Sequence, residues 1–355
     1  MRRRLDLLQV HTQKDQVTMM KSSIRRTSKL WGGLLASAAA ISLLASCSSG
    51  GSGGSESEGS GGDCEQRYTI AFSHPAGDVS FVKALKNVVE QKAEENGCVD
   101  LLLDNTVQNN LDTQRAAVET WINQKVDAIV VWPVDGEAFE SLREQAQAQG
   151  TKWLTYAAPN PEEDGGTGFD NETAGKEMTE MLKAWVEENY PDKNITATVT
   201  TATALPAVQP RVLPVIDYLN EAGIEIVSQQ DCITPDCGMQ ITEDVLRQHE
   251  NLRIFVGLND DAALGAQRAL LNAGMDMDGF FLAGFDGPAE ALQSLLDETG
   301  YTVTAAIDTE KLAASIIDNS IAAITGEGDA SLMTQMVLLT PEDREQLEQL
   351  LSVLE

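Results

Sequence analysis

The chain has 355 residues, 42% of them hydrophobic, enough for two domains of ordinary size with buried cores. It carries 25 Lys and Arg against 55 Asp and Glu, a formal net charge of −30. Residues 1–46 hold eight of the basic side chains and two acids, so the rest is more acidic still, a surface that repels nucleic acid and anionic headgroups.

From Met20 the chain reads as an export signal. Lys21, Arg25, Arg26 and Lys29 form a basic region, and 30–45 is apolar and small. That run is short of the ~20 apolar residues a membrane-spanning helix needs but suits a signal core. It ends in Leu44-Ala45-Ser46-Cys47, which resembles the bacterial lipoprotein box. The resemblance implies a signal peptide over 1–46 and a diacylglyceryl anchor on Cys47; a free Cys in a plain signal peptide is the alternative. Residues 1–19 are polar and mixed in charge, outside that plan, so the true start is read at Met19 or Met20. Residues 47–63, almost wholly Gly, Ser and Glu after the Cys, form a flexible tether.

The body alternates strand and helix. A short apolar run at 68–72 is followed by helical spacing over 81–96, where Phe81, Leu85, Val88 and Val89 share a face and Gly97 ends it. Strand 99–103, helix 111–124, strand 128–132, helix 138–149 and strand 152–156 follow. The pattern restarts with helix 172–188, strand 195–200, helix 213–222, strand 224–228, helix 241–249, strand 253–256 and helix 262–273. Strand 280–284, helix 289–297, strand 302–306, helix 309–324, strand 332–339 and a last helix opened by Pro341 complete it. Such alternation predicts α/β architecture: two doubly wound parallel-sheet lobes of similar size.

Four Cys remain if Cys47 is acylated, an even number suited to an oxidising compartment, with three possible pairings. Adjacent parallel strands bring their starts together, which favours Cys64–Cys98. Cys232–Cys237 would close a short loop around a turn-forming Pro235-Asp236. Thiol metal ligation has no Cys-x-x-Cys pair or nearby His to support it, so no metal or cofactor is expected.

Five stretches in order resemble the periplasmic sugar-binding proteins of the ribose-binding type, the type I solute receptors of ABC importers. Val256-Gly-Leu-Asn-Asp-Asp-Ala-Ala-Leu-Gly265 is similar to the family's Asn-Asp-x-x-Ala-x-Gly stretch, and Leu282-Ala-Gly-Phe-Asp-Gly287 to its Gly-Phe-Asp-Gly. Trp132-Pro133-Val134-Asp135 resembles its Pro-x-Asp turn, and Asp170-Asn171 its crossover between lobes. Arg211, three residues before Pro214, stands where the family has Arg three before a Gly. The resemblance covers nearly all of 68–339. It implies a three-segment hinge, with lobe 1 at 64–170 plus 308–331, lobe 2 at 171–307 plus 340–355, and the third crossing at 332–339.

In open α/β sheets ligands sit beyond the carboxyl ends of the strands. The resemblance makes Asp286, Asn259, Arg211, Phe81 and Asn109 ligand contacts. Each has a structural alternative: Asp286 and Asn259 as helix caps, Arg211 as a solvated cation, Phe81 as core, Asn109 as loop filler. Two departures stand out. Tyr156-Ala157-Ala158 replaces the family's Asp-Arg, leaving Tyr156 as a substitute contact, and Ile307-Asp308 replaces its Gln, leaving Asp308 as a substitute or a hinge residue. Trp132 and Trp153 at strand ends either stack on the ligand or pack, and His74, after the first strand, either touches the ligand or acts as a base.

The expected function is an extracytoplasmic lipoprotein, at the cell surface or in the periplasm, that hands a small polar ligand to an ABC importer permease. The ligand is expected to be a monosaccharide, with a polyol or a small cationic solute as alternatives. The protein is expected to be a monomer and not an enzyme, since no Gly-x-Ser-x-Gly nucleophile motif is present. A ligand-sensing receptor for a membrane kinase is the rival role. A repressor of the same fold would need a basic helix-turn-helix where this chain has a lipobox and tether.

Overall fold

The computed structural model describes residues 64, 66–156 and 162–354. The expected signal peptide, Cys47, the tether, and Ala157-Ala158 lie outside the described residues. The first run of elements is β1 (Tyr68–Ser73), α1 (Ser80–Asn96), β2 (Val99–Leu103), α2 (Leu111–Gln124), β3 (Ala128–Val131), α3 (Gly136–Ala148), β4 (Lys152–Tyr156) and β5 (Gly165–Phe169). The second is α4 (Asn171–Asn189), β6 (Thr196–Thr201), α5 (Leu213–Ala222), β7 (Glu225–Asp231), α6 (Pro235–Leu246), β8 (Leu252–Val256), α7 (Asp260–Asn272), β9 (Phe281–Asp286), α8 (Ala289–Leu296) and β10 (Val303–Ile307). Then come α9 (Thr309–Thr325), β11 (Met333–Thr334), β12 (Met336–Leu339) and α10 (Arg344–Leu354).

These strands form two six-stranded sheets, ordered β11-β5-β4-β3-β1-β2 and β12-β10-β9-β8-β6-β7. Pairing is parallel throughout except at the edge, where β12 runs antiparallel to β10. Strands buried on both faces read as unbroken apolar runs. In β1, Ile70 and Phe72 join one core cluster while Ala71 faces another; in β8, Ile254 and Val256 face one cluster and Phe255 the other.

The chain passes between the sheets in three places. Asp170 follows β5 and caps α4, accepting from the Thr173 amide at 3.0 Å. Asp308 follows β10 and caps α9, accepting from the Lys311 amide at 3.0 Å. Helix α4 packs on α5 beside β12, whereas α9 packs on α1 and β5, so each crossing hands the chain to the other sheet. The run expected as one strand over 332–339 is divided: β11 joins β5, β12 joins β10, and Gln335 stands between them.

Three local expectations change. Strand β5 carries no strand signal in the sequence, because Gly165-Gly-Thr-Gly-Phe169 lacks a strand composition. A Cβ on Gly165 would lie 2.3 Å from the Ala330 carbonyl oxygen, so close backbone approach accounts for glycine there. Pro235-Asp236 does not form a turn; Pro235 opens α6, which begins six residues before the expected 241. The last helix starts at Arg344, after a turn in which Asp343 accepts from the Thr340 amide at 2.8 Å.

Both disulfides form. Cys64–Cys98 has a Cα–Cα distance of 5.6 Å and ties the starts of β1 and β2, where Tyr68 pairs with Val99. Cys232–Cys237, at 5.9 Å, joins the end of β7 to the first turn of α6.

Candidate functional site

The carboxyl ends of the two sheets face a common cavity. From the first sheet it is lined by His74 after β1, Val79, Phe81 and Val82 at the start of α1, Trp132 after β3, Tyr156 at the end of β4 and Phe169 at the end of β5. The second sheet and its loops contribute chiefly Arg211, Asn259 and Asp286. The space open to the centres of water molecules is about 50 Å³, where one water needs roughly 10–15 Å³. A broader open depression beside it shares Trp132 and Tyr156 and is lined by Phe139 and Trp153. Its wall lacks a comparable set of converging buried polar groups.

Arg211 ends a short 3-10 turn, Pro206–Arg211, that sequence patterning did not mark. It is no solvated surface cation. Its Nε donates to Asn171 Oδ1 at 2.7 Å, and its Nη1 lies 2.8 Å from Asp286 Oδ1 and donates to the Leu258 carbonyl at 3.3 Å. The guanidinium stands between two rings, 5.0 Å from the Phe169 centroid and 5.5 Å from that of Phe285. Asn171 is fixed in turn by donating to the Ala207 carbonyl at 2.9 Å. A planar cation held by two rings, an amide and a carboxylate has little rotational freedom, so donors left facing the cavity are preset.

Asp286 does not cap α8; Pro288 takes the cap position without a side-chain bond. The Asp286 backbone is held at φ +103°, a region a non-glycine residue seldom adopts, and Gly287 follows at +72°. Burial pushes its carboxyl up to about 6, against the opposing pull of Arg211 and with a smaller push from Asp261. It is therefore ionised at neutral pH. Asp260 beside it does not line the cavity. It accepts from the Gly287 amide at 2.8 Å, the Tyr301 hydroxyl at 2.5 Å and Thr304 Oγ1 at 2.6 Å, clamping the loop that carries Asp286. Burial raises it to about 7 despite these three donors.

Asn259 lines the cavity but also caps α7, accepting from the Ala262 amide at 3.1 Å and donating to the Ile233 carbonyl at 3.0 Å. Its amide is thereby oriented, with one N–H and one lone pair not used by these bonds.

His74 is 4% exposed, and its pKa is pulled down to about 3 by burial, then by Lys86 and Arg211. Its Nδ1 accepts from the Ala76 amide at 3.1 Å, which puts the proton of the neutral ring on Nε2 as a donor. The ring meets Trp132 and Tyr156 edge-on, at 5.1 and 5.2 Å between centroids. The Tyr156 hydroxyl is buried and has no hydrogen-bond partner among the described protein groups. Burial raises it well above the usual phenol value, so it stays protonated.

The backbone beneath Trp132 is braced from α2: Gln114 Nε2 donates to the Trp132 carbonyl at 2.8 Å and to Ser73 Oγ at 2.9 Å, and its Oε1 accepts from the Val134 amide at 2.8 Å. The structure thus gathers His74, Phe81, Trp132, Tyr156, Arg211, Asn259 and Asp286. It does not gather the remaining candidates. Asn109 lies in the loop after β2, donating its amide to the Pro75 carbonyl at 3.0 Å, one residue beyond His74. Asp308 caps α9, pairs with Lys311 Nζ at 2.7 Å and lines a groove along α9 and β12 instead. Trp153 packs in the core of the first half. The sequence does not single out Phe169, Asn171 and Phe285 as site residues; Asn171 belongs to the crossover pair with Asp170, Phe169 precedes it, and Phe285 lies in the Gly-Phe-Asp-Gly stretch, which are the features that point to them.

Two parallel sheets, linked by three crossings and facing a polar and aromatic cavity across their carboxyl ends, define a two-lobed solute-binding protein. Residues 70–328 match the family model described as the periplasmic binding protein domain, and the chain belongs to that family. The chain is 26% identical over 236 residues to the ribose import binding protein RbsB of Bacillus subtilis, covering 66% of this chain and 74% of that one. It is 25% identical over 274 residues to the fructose import binding protein FruE of Bifidobacterium longum, covering 74% and 80%. Among solved structures it resembles an ABC transporter solute-binding protein from Bacillus halodurans with bound myo-inositol, with a TM-score of 0.71 and 22% identity over 81% of this chain and all of that one. The family is extracytoplasmic, and among the described residues no helix is long and apolar enough to cross a membrane.

Proposed function

We propose that this chain captures an uncharged monosaccharide or polyol between its two lobes and delivers it to the permease of an ABC importer. The observation that carries this reading is the composition of the cavity wall. Its charged groups are one pair of opposite sign, Arg211 with Asp286, and its histidine is neutral. An uncharged ligand fits such balance, whereas a cation or anion would leave one member of the pair competing for it. Around that pair stand a phenol without a partner, an imidazole N–H and an oriented amide, suited to sugar hydroxyls. The rings of Phe81, Trp132 and Tyr156 suit its C–H faces. A buried polar group left unpaired costs about 1–3 kcal/mol, so a ligand that satisfies Tyr156 gains over one that does not.

The ligand contacts in this reading are His74, Phe81, Trp132, Tyr156, Arg211, Asn259 and Asp286. Lobe 1 is 64–170 plus 308–331 and lobe 2 is 171–307 plus 340–355, with 332–339 as the third crossing. A space of about 50 Å³ is small for a monosaccharide, so loading requires the lobes to part and close again. Residues 1–46 act as a signal peptide, Cys47 carries the lipid, and 47–63 tether a monomeric, non-enzymatic receptor outside the membrane.

The test is a thermal shift on the purified full chain with D-ribose, D-fructose, D-xylose and myo-inositol. At least one should raise the Tm by mass action, by about 2.7 kcal/mol of added stability at a hundred times Kd. Asp286→Ala should remove that shift. A sugar-induced shift that survives Asp286→Ala would discard the site, and no shift with any member would discard the ligand class.

A further inference from the structure

Helix α1 begins without a cap of its own. Val79 at its N-cap makes no side-chain bond, and its first turn holds no acidic residue. A 17-residue helix with its leading N–H groups uncapped leaves a partial positive charge at that end. The group that meets it comes from the opposite side of the cavity. Asp261 Oδ2 accepts from the Ser80 amide at 3.0 Å, across 181 residues of sequence. Asp261 is the second residue of α7, behind β8 of the second sheet, while α1 follows β1 of the first. Asp261 is 5% exposed while Ser80 is exposed, so the acceptor is buried and the contact is partly so.

We propose that Asp261 is a positioning residue: its carboxylate clasps the N-terminus of α1 when the lobes close, and so sets Phe81 and its neighbours against the bound ligand. The inference rests on the solute-binding reading above. Ser80 immediately precedes Phe81, and Val79, Phe81 and Val82 all line the cavity. The clasp therefore holds the very turn that forms the apolar wall. The neighbouring acids divide the work. Asp260 faces inward and locks the loop after β9, Asp286 faces Arg211, and Asp261 alone of the three reaches the other lobe. Asp261 stands at a free position of the Asn-Asp-x-x-Ala-x-Gly stretch, so the motif itself does not assign it a role.

A clasp made only on closure adds to affinity through the fraction of closed protein, since apparent Kd is the intrinsic value divided by that fraction. Losing one helix cap of about 1 kcal/mol corresponds to a roughly five-fold weaker Kd. The test uses full-chain wild type, Asp261→Ala and Asp261→Asn, the last retaining an acceptor oxygen. Hydrogen exchange is followed in peptides covering 79–82 and 205–212, first without sugar. Asp261→Ala should speed exchange at the Ser80 amide and in 205–212 together, because both walls lose protection when the clasp opens, and Asp261→Asn should restore part of it. Unchanged exchange at Ser80, or faster exchange there with 205–212 unaffected, overturns the proposal by reducing Asp261 to no role or to a local cap. These outcomes do not depend on any sugar binding, so they separate from the ligand-class test. With whichever of the four sugars shifts the wild type, Asp261→Ala should raise the dissociation rate about five-fold with little change in the association rate.

Discussion

Asp286 concentrates three unfavourable features at one position: a positive φ of +103°, burial, and a carboxyl titrating at about 6. A strained backbone of this kind costs on the order of 1–3 kcal/mol and persists where the surroundings over-determine it. Here Asp260 holds the next amide and Arg211 holds the carboxylate. The raised value fixes a sign. Its folded value lies above the unfolded one, so the ionised form costs folding stability at neutral pH, and that cost fades as pH falls below about 6. In the proposed binding mode ligand affinity runs the other way, because the ionised carboxylate is the stronger acceptor for sugar hydroxyls. Sugar affinity is expected to be flat above pH 7 and to weaken as pH falls through about 6, by at most roughly ten-fold per unit. Tyr156, raised by burial, stays protonated there, and burial pulls His74 down to about 3, outside the window. Asp260, raised to about 7, does not line the cavity and is common to both proteins compared. Titration calorimetry from pH 5 to 8 should therefore give a sloping profile for wild type and a weak, flat one for Asp286→Asn. An Asn variant with the same slope would assign the pH dependence to another group.

At the scale of elements, α6 and α7 cross with their backbones touching. A Cβ on Gly265 would lie 1.9 Å from the Pro235 carbonyl oxygen, and one on Gly238 2.0 Å from that of Ala262. Contacts with carbonyls cannot be relieved by a rotamer change, so Gly265→Ala should force the helices apart and cost about 1–3 kcal/mol. Gly136, in the first turn of α3, has open space where a Cβ would stand, with nothing within 4 Å, and Gly136→Ala should be neutral or slightly stabilising. Urea unfolding of the two variants provides the comparison, and equal midpoints would show that the crossing can relax. This pair of helices also shows what the sequence made legible. The last Gly of the Asn-Asp-x-x-Ala-x-Gly stretch is readable as a motif position, but its reason, a carbonyl approaching from a distant helix, is not. Strands with both faces buried are readable as apolar runs; β5 is not, because its glycines answer to Ala330 rather than to strand propensity. Asp286, Arg211 and Asn259 are readable as polar residues near the site-facing ends of their lobe. Asp261, Asn171 and Phe285 fall inside the family-like stretches and Phe169 next to the crossover, but their roles are not readable there, since their partners lie far off in sequence.

Across the whole molecule, the two lobes communicate through very little chain. Two of the three crossings pass from the last residue of a strand through one aspartate into a helix of the other lobe, and the third has Gln335 alone between β11 and β12. Asp170 and Asp308 are thus at once pivots and caps. Hydrogen bonds from the Thr173 side chain, then its backbone, hold the Asp170 carboxyl below the usual carboxylate range, while Asp308 adds an ion pair with Lys311 to its cap. Capping keeps each pivot short: with the cap lost, the first turn of α4 or α9 can fray and the flexible span lengthens. A longer span admits more open arrangements and depletes the closed state entropically. Asp170→Ala and Asp308→Ala should each lower unfolding free energy by about 1 kcal/mol. In the double variant the losses should add, because the two caps share no partner. Sugar affinity should fall a few-fold in both single variants, although neither residue lines the cavity, because closure is the step that suffers. Denaturant titrations paired with calorimetry on the same samples decide the matter. Stability lost with affinity intact would mean that the crossings maintain the fold and leave the balance between open and closed lobes to the cavity walls.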